Sequence, residues 1–156
     1  MKAGARQLAA LLRGLSRHPH CPHPAFETRP PWVAGLLMGI TLELEPGPEA
    51  AHQARDEVRY HLRDRVENGL LTDLQLIVSE LVTNSVRYGR GETIEVEIAV
   101  AEDGSIIGEI EDHGRGEVAM REITDQGGGF GLRIIDALAS RWGVCEGSTQ
   151  VWFELS

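Results

Sequence analysis

Residues 73–88, DLQLIVSELVTNSVRY, are the stretch from which the fold of this chain can be inferred. Apolar side chains recur there at steps of three and four residues, which is the spacing of one face of an amphipathic helix. That face consists of Leu74, Ile77, Val78, Leu81, Val82 and Ser85. Thr72 and Gln75 have the spacing of a capping box, so we predict a helix that begins after Thr72 and ends before Gly89.

The polar face of this helix carries Glu80 and Asn84, one turn apart. A carboxylate and a carboxamide at this spacing can hold a divalent cation, and the carboxylate can also act as a general base. A helix face that merely contacts solvent has the same pattern, and it is the commoner explanation for one helix taken alone. The choice between the two depends on motifs further along the chain.

Length and charge limit the function classes. The chain has 156 residues, enough for one domain with a substantial core, and its net charge is -9. Residues 1–35 contain five basic residues and one acidic residue, whereas residues 36–156 contain 10 basic and 23 acidic residues. An acidic body disfavours direct nucleic-acid binding and suits a basic protein partner, or a nucleotide that arrives with a metal ion. Lys2 is the only lysine, which excludes a P-loop.

Three features indicate the compartment. No apolar run reaches the ~20 residues that a membrane-spanning helix needs, and the N-terminus lacks a secretory hydrophobic region with a cleavage site. The two cysteines, Cys21 and Cys145, are too few for a disulfide framework. We therefore expect a cytoplasmic protein in a reducing compartment, without membrane association.

The chain before the predicted domain has a different composition. Five prolines lie between His18 and Trp32, and they prevent regular structure there. The leucine stripe from Leu8 to Leu15 is too short to form a stable helix in isolation. We predict that residues 1–38 form a flexible, basic, Pro/His-rich extension and that residues 39–156 form the domain.

Two predicted strands follow the central helix. In the first, Ile94, Val96, Ile98 and Val100 alternate with Glu95 and Glu97, as in a strand with one face toward solvent. In the return strand, Asp112 continues the parity of Ile106 and Ile110, so its carboxylate should point to the covered side of the sheet. Gly114 and Gly116 come directly after it.

A glycine-rich run, Gly127-Gly128-Gly129-Phe130-Gly131, precedes a further predicted helix that carries Leu132 in its first turn. Exposed N–H groups and the helix dipole make such a turn a common phosphate site. Taken alone, a run of this kind is more often a plain flexible turn.

Together, Glu80-x-x-x-Asn84, Asp112-x-Gly114-x-Gly116 and Gly129-x-Gly131 resemble, in this order, the Bergerat-fold (GHKL) ATPases, a superfamily that includes gyrase, heat-shock chaperones, histidine kinases and mismatch-repair proteins. The segments SELVTNSVRYG, IEDHGRG, GGFGLRIIDALASRWGV and TQVWFEL are most similar to small bacterial anti-sigma-factor serine kinases. The resemblance covers residues 39–156. It implies an α/β two-layer sandwich, in which helices at about 49–68, 72–88 and 131–141 cover one face of a largely antiparallel sheet.

The resemblance also implies roles for individual residues. Asn84 would coordinate Mg²⁺, and Glu80 would be the general base. Asp112 would accept a hydrogen bond from the adenine amino group, supported by Gly114 and Gly116.

The remaining implied contacts concern the two ends of ATP. Thr149 matches the hydroxyl that supports the adenine, although a strand-surface hydroxyl is an equally good explanation for a threonine there. The loop at 117–126 is short for a lid over the triphosphate. The residues that would wrap the phosphates are Gly127, Gly128, Gly129, Phe130, Gly131 and Leu132.

Two functions follow from the resemblance. In one, the protein phosphorylates a serine or threonine of a STAS-type anti-anti-sigma protein and sequesters a sigma factor. In the other, it is a nucleotide-dependent binding module that sequesters a partner without phosphoryl transfer. The resemblance also suggests a homodimer, and we expect the N-terminal extension to be dispensable for nucleotide binding.

Overall fold

The fold is described from a computed structural model, which covers residues 36–114, 130–145 and 148–156. Within these ranges three helices are interspersed among five strands, as expected for a sheet with helices on one face. Their order is β1 (Leu36–Leu44), α1 (Ala50–Leu62), α2 (Asn68–Tyr88), β2 (Ile94–Ala101), β3 (Ile106–Glu111), α3 (Phe130–Leu138), β4 (Arg141–Val144) and β5 (Val151–Leu155).

The five strands form one sheet in the order β1-β2-β3-β5-β4, and every neighbouring pair is antiparallel. The register aligns Ile40 with Ile98, Ile98 with Gly108, and Gly108 with Phe153. Because paired residues share a face of the sheet, this row extends across four strands. These side chains belong to the hydrophobic core, so the predicted antiparallel sheet with one helix-covered face is confirmed.

Gly108 has a packing role in this row. A Cβ at Gly108 would collide with the ring of Phe153, which is fully buried. The missing side chain therefore makes the space in which the aromatic ring lies between sheet and helices. A glycine in a strand interior is unfavourable by itself, and here the packing of the ring compensates for it.

The helix α2 supplies most of the helical side of the core. Its buried residues follow the predicted period and are Leu71, Leu74, Ile77, Val78, Leu81 and Val82. Two hydrogen bonds join α2 to α1: Arg55 Nη1 donates to Ser79 Oγ at 2.6 Å, and Gln75 Nε2 donates to Arg55 O at 3.2 Å. They fix how α1 lies against α2, and thereby the direction of the polar face of α2.

The predicted start of α2 is wrong by one turn. The helix begins at Asn68, and Glu67 at its N-cap makes no side-chain cap hydrogen bond. Thr72 Oγ1 donates to Asn68 O at 2.9 Å, so the threonine bonds back within the helix instead of capping it. Burial of Leu71 favours the extra turn, because it adds an apolar side chain to the core.

The other two helices end earlier than predicted. The helix α1 stops at Leu62, and Val66 packs into the core from the following turn. The helix α3 stops at Leu138, because Ser140 N already donates to Glu154 O at 2.8 Å and the chain pairs with β5 from there. Trp142, one residue beyond the predicted end of that helix, lies in β4.

Two observations concern membrane-spanning helices and the cysteines. Among the residues that the structure describes, none of the helices is both long and apolar enough to cross a membrane. Cys145 is fully buried and disulfide-bonded, whereas a reduced thiol was expected.

Candidate functional site

The polar face of α2 meets the first turn of α3. Glu80 and Asn84 are both half-buried, and both lie against Gly131. A Cβ at Gly131 would be 3.0 Å from Glu80 Oε2 and 3.1 Å from Asn84 Nδ2. The glycine is therefore needed for the close approach, and the two residues predicted to act on a metal lie at a helix N-terminus.

The start of α3 is suited to an anion. The helix begins at Phe130, and the first N–H groups of any helix have no intrahelical acceptor. The helix dipole adds partial positive charge at this end. Gly131 is buried, so the backbone of this turn directly faces Glu80 and Asn84 without an intervening side chain. An anionic ligand and a metal ion could thus be held side by side.

Asp112 lies just beyond β3, at the edge of the helix-covered side. Its side chain is 5% exposed, as the strand parity predicted. Gly114 N donates to Asp112 Oδ1 at 2.8 Å, which fixes the carboxylate through a two-residue turn. A buried carboxylate held in this way is a specific hydrogen-bond acceptor for a ligand.

The structure adds Gly89 and Gly91 to the site. A Cβ at Gly89 would collide with the Asp112 carboxylate and with Ser85 O, and one at Gly91 would collide with Asp112 O. The chain leaving α2 therefore packs directly against the residue predicted to bind adenine. The sequence signal was Gly89 at the end of the helix, followed by Gly91 two residues later. We had predicted only the end of the helix from it.

Thr149 is brought to the same place by the register of β3 and β5. Ile110 pairs with Val151, and continuing that register places Asp112 opposite Thr149. Thr149 Oγ1 is buried and has no hydrogen-bond partner among the described residues. An unpaired buried hydroxyl is unfavourable, so a ligand that pairs with it would stabilise the site.

His113 stabilises the turn on the other side of the sheet. Its φ of 54° places it in the left-handed region, which is uncommon outside glycine. Its Nε2 lies 3.0 Å from Glu95 Oε2, and its Nδ1 lies 3.6 Å from Glu111 Oε2. These contacts to β2 and β3 help to hold the backbone that aims Asp112.

One predicted site residue packs in the core, and several others lie outside the described residues. Leu132 is half-buried against the hydrophobic core, so its side chain serves packing. The loop predicted at 117–126 lies outside the described residues. So do four of the glycines predicted to contact the nucleotide: Gly116, Gly127, Gly128 and Gly129.

The residues present fit a nucleotide with a divalent cation. Asp112 and Thr149 offer an acceptor and an unpaired hydroxyl at one end, and the start of α3 offers backbone donors at the other. The described ranges contain no group of three or more His, Cys, Asp or Glu able to hold a metal. Asn84 could supply an oxygen ligand to Mg²⁺, which in nucleotide sites usually takes one or two protein ligands and completes its shell with phosphate oxygens and water.

Comparison with known proteins bears on the family and on the fold. Residues 44–155 match the sequence model of the family described as "Histidine kinase-like ATPase domain". No curated protein matches the chain. The fold is similar to the crystal structure of the RsbU and RsbW domains of Rv1364c from Mycobacterium tuberculosis, with a TM-score of 0.57 and 24% sequence identity. That match covers 75% of this chain and 31% of the other chain, so it supports the fold alone.

Proposed function

Because the chain belongs to the family of histidine kinase-like ATPase domains, we propose that it is an ATP-dependent serine/threonine kinase of the anti-sigma-factor type. It phosphorylates a STAS-type anti-anti-sigma protein and sequesters a sigma factor. The observation that carries the proposal is the contact of Glu80 and Asn84 with Gly131 at the start of α3. The contact supports the proposal because it brings Glu80, Asn84 and the start of α3 together, where they could serve as base, metal ligand and phosphate-binding helix end.

The nucleotide lies between α2, α3 and the ends of β3 and β5. Asp112 and Thr149 bind the adenine end, and the first turn of α3 binds the phosphates. Asn84 is the protein ligand of Mg²⁺. When bound, ATP supplies the phosphoryl group and Mg²⁺ neutralises charge on the phosphates.

Glu80 is the general base in this proposal. Its carboxylate is half-buried and lies beside Asn84 and the start of α3, where the phosphates would be held. It accepts the proton of the substrate hydroxyl as the phosphoryl group is transferred. The role requires no movement of α2, because the side chain already lies at the start of α3.

The partner class follows from charge as well as from the sequence motifs. Residues 36–156 have an excess of 13 acidic residues, the difference between 23 acidic and 10 basic ones. Such a surface suits a protein partner with basic groups and disfavours direct contact with nucleic acid. We propose that the protein acts in the cytoplasm, without a membrane, and as a homodimer.

The test combines binding and transfer measurements on the full chain. Calorimetric titration with ATP, with and without Mg²⁺, should show metal-dependent binding. Partners captured from the native cell and identified by mass spectrometry supply candidate substrates for a radiolabelled transfer assay. If no candidate is phosphorylated but a sigma factor is still captured in the presence of ATP, the kinase proposal fails and the protein is a nucleotide-dependent binding module.

Light scattering of the purified chain at micromolar concentration tests the homodimer separately. A mass of twice the 17.1 kDa of one chain supports it, and a monomer mass rejects it without affecting the kinase proposal.

A further inference from the structure

The central part of the sheet face opposite the helices is also buried. We call it the second face, and its side chains alternate with those of the helix-side core. It contains Glu97, Ala99, Ala101, Ile107, Glu109, Gln150, Trp152 and Cys145, none of which belongs to the helix-side core. Glu109 is 4% exposed and Trp152 is 5% exposed. The three described helices lie on the opposite side of the sheet, so they do not account for this burial.

The second face has an unusual chemistry for a buried surface. Glu97 pairs in register with Glu109, and Gln150 Nε2 donates to Glu109 Oε2 at 2.6 Å. Six glutamates belong to this face by register: Glu43, Glu95, Glu97, Glu109, Glu111 and Glu154. Carboxyl groups on this face, of which Glu97 and Glu109 are buried, require hydrogen-bonding or cationic partners, so a basic covering layer suits it. Ile107 and Trp152 require apolar contacts from the same layer.

Residues 1–35 have the complementary composition. They carry five basic residues against one acidic residue, and four leucines lie within the stripe from Leu8 to Leu15. They precede β1, which is an edge strand of the same sheet. The distance across the sheet from β1 to β5 is three strand spacings, roughly 15 Å. A segment of 35 residues can extend several times farther than this distance.

Cys145 gives an independent indication. Continuing the pairing of Gly143 with Trp152 places Cys145 opposite Gln150 on the second face, and Cys145 N donates to Gln150 O at 3.0 Å. Cys145 is 0% exposed and disulfide-bonded. The chain has one other cysteine, Cys21, and it belongs to residues 1–35.

We propose that the second face is the docking surface of the chain's own N-terminal segment, residues 1–35. The segment forms a third layer, with arginines toward the glutamates and leucines toward Ile107 and Trp152. This replaces the flexible extension that we predicted from the sequence. It keeps the expectation that nucleotide binding does not need the segment, because Glu80 and Asp112 lie on the helix-covered side.

The experiment follows the accessibility of Cys145 in the reduced full chain. Iodoacetamide alkylates the chain under native conditions, and peptide mass spectrometry reads Cys145 and Cys21 separately. In the native wild-type chain, Cys145 should react with iodoacetamide more slowly than in the urea-unfolded chain, by roughly 100-fold or more. The double variant Arg13→Glu/Arg17→Glu should raise the native rate at Cys145 at least roughly tenfold, because it sets like charges against the second face.

The matched control is Arg59→Glu/Arg65→Glu, two exposed positions in α1 and in the turn that follows it. It makes the same change in net charge on the helix-covered side, and Cys145 should keep its wild-type rate. Circular dichroism must show wild-type helix content in both variants. Equal Cys145 rates in wild type and the Arg13→Glu/Arg17→Glu variant would overturn the proposal, and so would rapid alkylation in the wild type.

Two further measurements separate the segment from a second copy of the chain. Without reductant, peptide mapping of the monomer fraction should recover a peptide that links Cys21 to Cys145. Two results would show that a second copy of the chain covers the face, and either would make the proposal wrong. One is a disulfide between two chains. The other is a dimer mass together with protection of Cys145 that decreases on dilution.

Discussion

Gly131 at the start of α3 lies against Glu80 of α2, and a Cβ on the glycine would be 3.0 Å from Glu80 Oε2. Gly131→Ala should therefore displace the carboxylate by a few tenths of an ångström while leaving the fold intact, because alanine favours a helix over glycine by about 1 kcal/mol. We expect ATP·Mg²⁺ affinity to fall roughly tenfold. Gly69→Ala in the first turn of α2 is the control, and equal affinities for both variants would contradict the assignment.

Asp112→Asn tests the adenine contact. The amide oxygen can still accept from Gly114 N, so the turn should survive, whereas the charged acceptor is lost. Affinity for ATP should fall by roughly 10²-fold in calorimetric titration. Asp103→Asn is a matched control, because Asp103 Oδ1 accepts from Ser105 N at 2.9 Å in the same two-residue arrangement, in an exposed turn. Unchanged affinity of Asp112→Asn would remove this residue from the site.

Glu80→Gln separates catalysis from binding. Glutamine keeps the shape and the hydrogen bonding but cannot accept the proton. We expect ATP·Mg²⁺ to bind normally while phosphoryl transfer falls by roughly 10²–10⁴-fold, the usual contribution of a positioned base. Asp73→Asn, earlier on the same helix, should transfer at the wild-type rate. If Glu80→Gln transferred the phosphoryl group at the wild-type rate, another residue would have to be the general base.

Asn84→Ala should act on binding itself. Losing the metal ligand should weaken nucleotide binding in the presence of Mg²⁺, and the difference between titrations with and without Mg²⁺ should shrink. A variant whose Mg²⁺ dependence equals that of the wild type would show that Asn84 does not hold the ion.

Gly108→Ala tests the packing of the sheet against the helices. The added methyl group meets the ring of Phe153, which is fully buried. Urea unfolding should show a loss of about 1–3 kcal/mol, the usual cost of overpacking. Gly47→Ala is the control, because the nearest atom to its Cβ would be 4.0 Å away. Equal stabilities would mean that the core accommodates the methyl group.

The carboxyl group of Glu109 should make stability depend on pH. Burial raises its pKa from 4.5 to about 8, and the charges of Glu97, Glu111 and Glu95 add to the rise, while the hydrogen bond from Gln150 opposes it. The folded protein therefore binds this proton more tightly than the unfolded chain. The resulting stability is fully present below pH 4.5 and is lost as the pH rises through about 8.

Glu109→Gln should remove this dependence. Urea titrations give the free energy of unfolding of the wild type and of the variant at each pH. The value for the wild type minus the value for the variant should decrease between pH 5 and pH 8. Glu102→Gln, at an exposed carboxyl group in the β2–β3 turn, is the control for the loss of a carboxyl group that is not buried. A constant difference for Glu109→Gln would show that Glu109 is ionised throughout.

The sequence by itself determined what depends on local periodicity. The period of α2 decided that Leu74 and Ile77 face the core and that Glu80 and Asn84 do not, because side-chain direction repeats with the turn of the helix. Strand alternation likewise placed Asp112 on the covered side of the sheet. Element ends were less well predicted: Thr72 looked like a cap, but burial of Leu71 extended the helix by a turn.

Only the tertiary structure decided which distant residues meet. Gly131 meets Glu80, and Gly91 meets Asp112, through the packing of elements that no short-range pattern relates. The sequence also predicted Glu97 on a solvent face, since it alternates with buried residues, yet Glu97 is 8% exposed. Local alternation tells which side of a strand a residue is on. Whether that side is covered depends on residues far away in the chain.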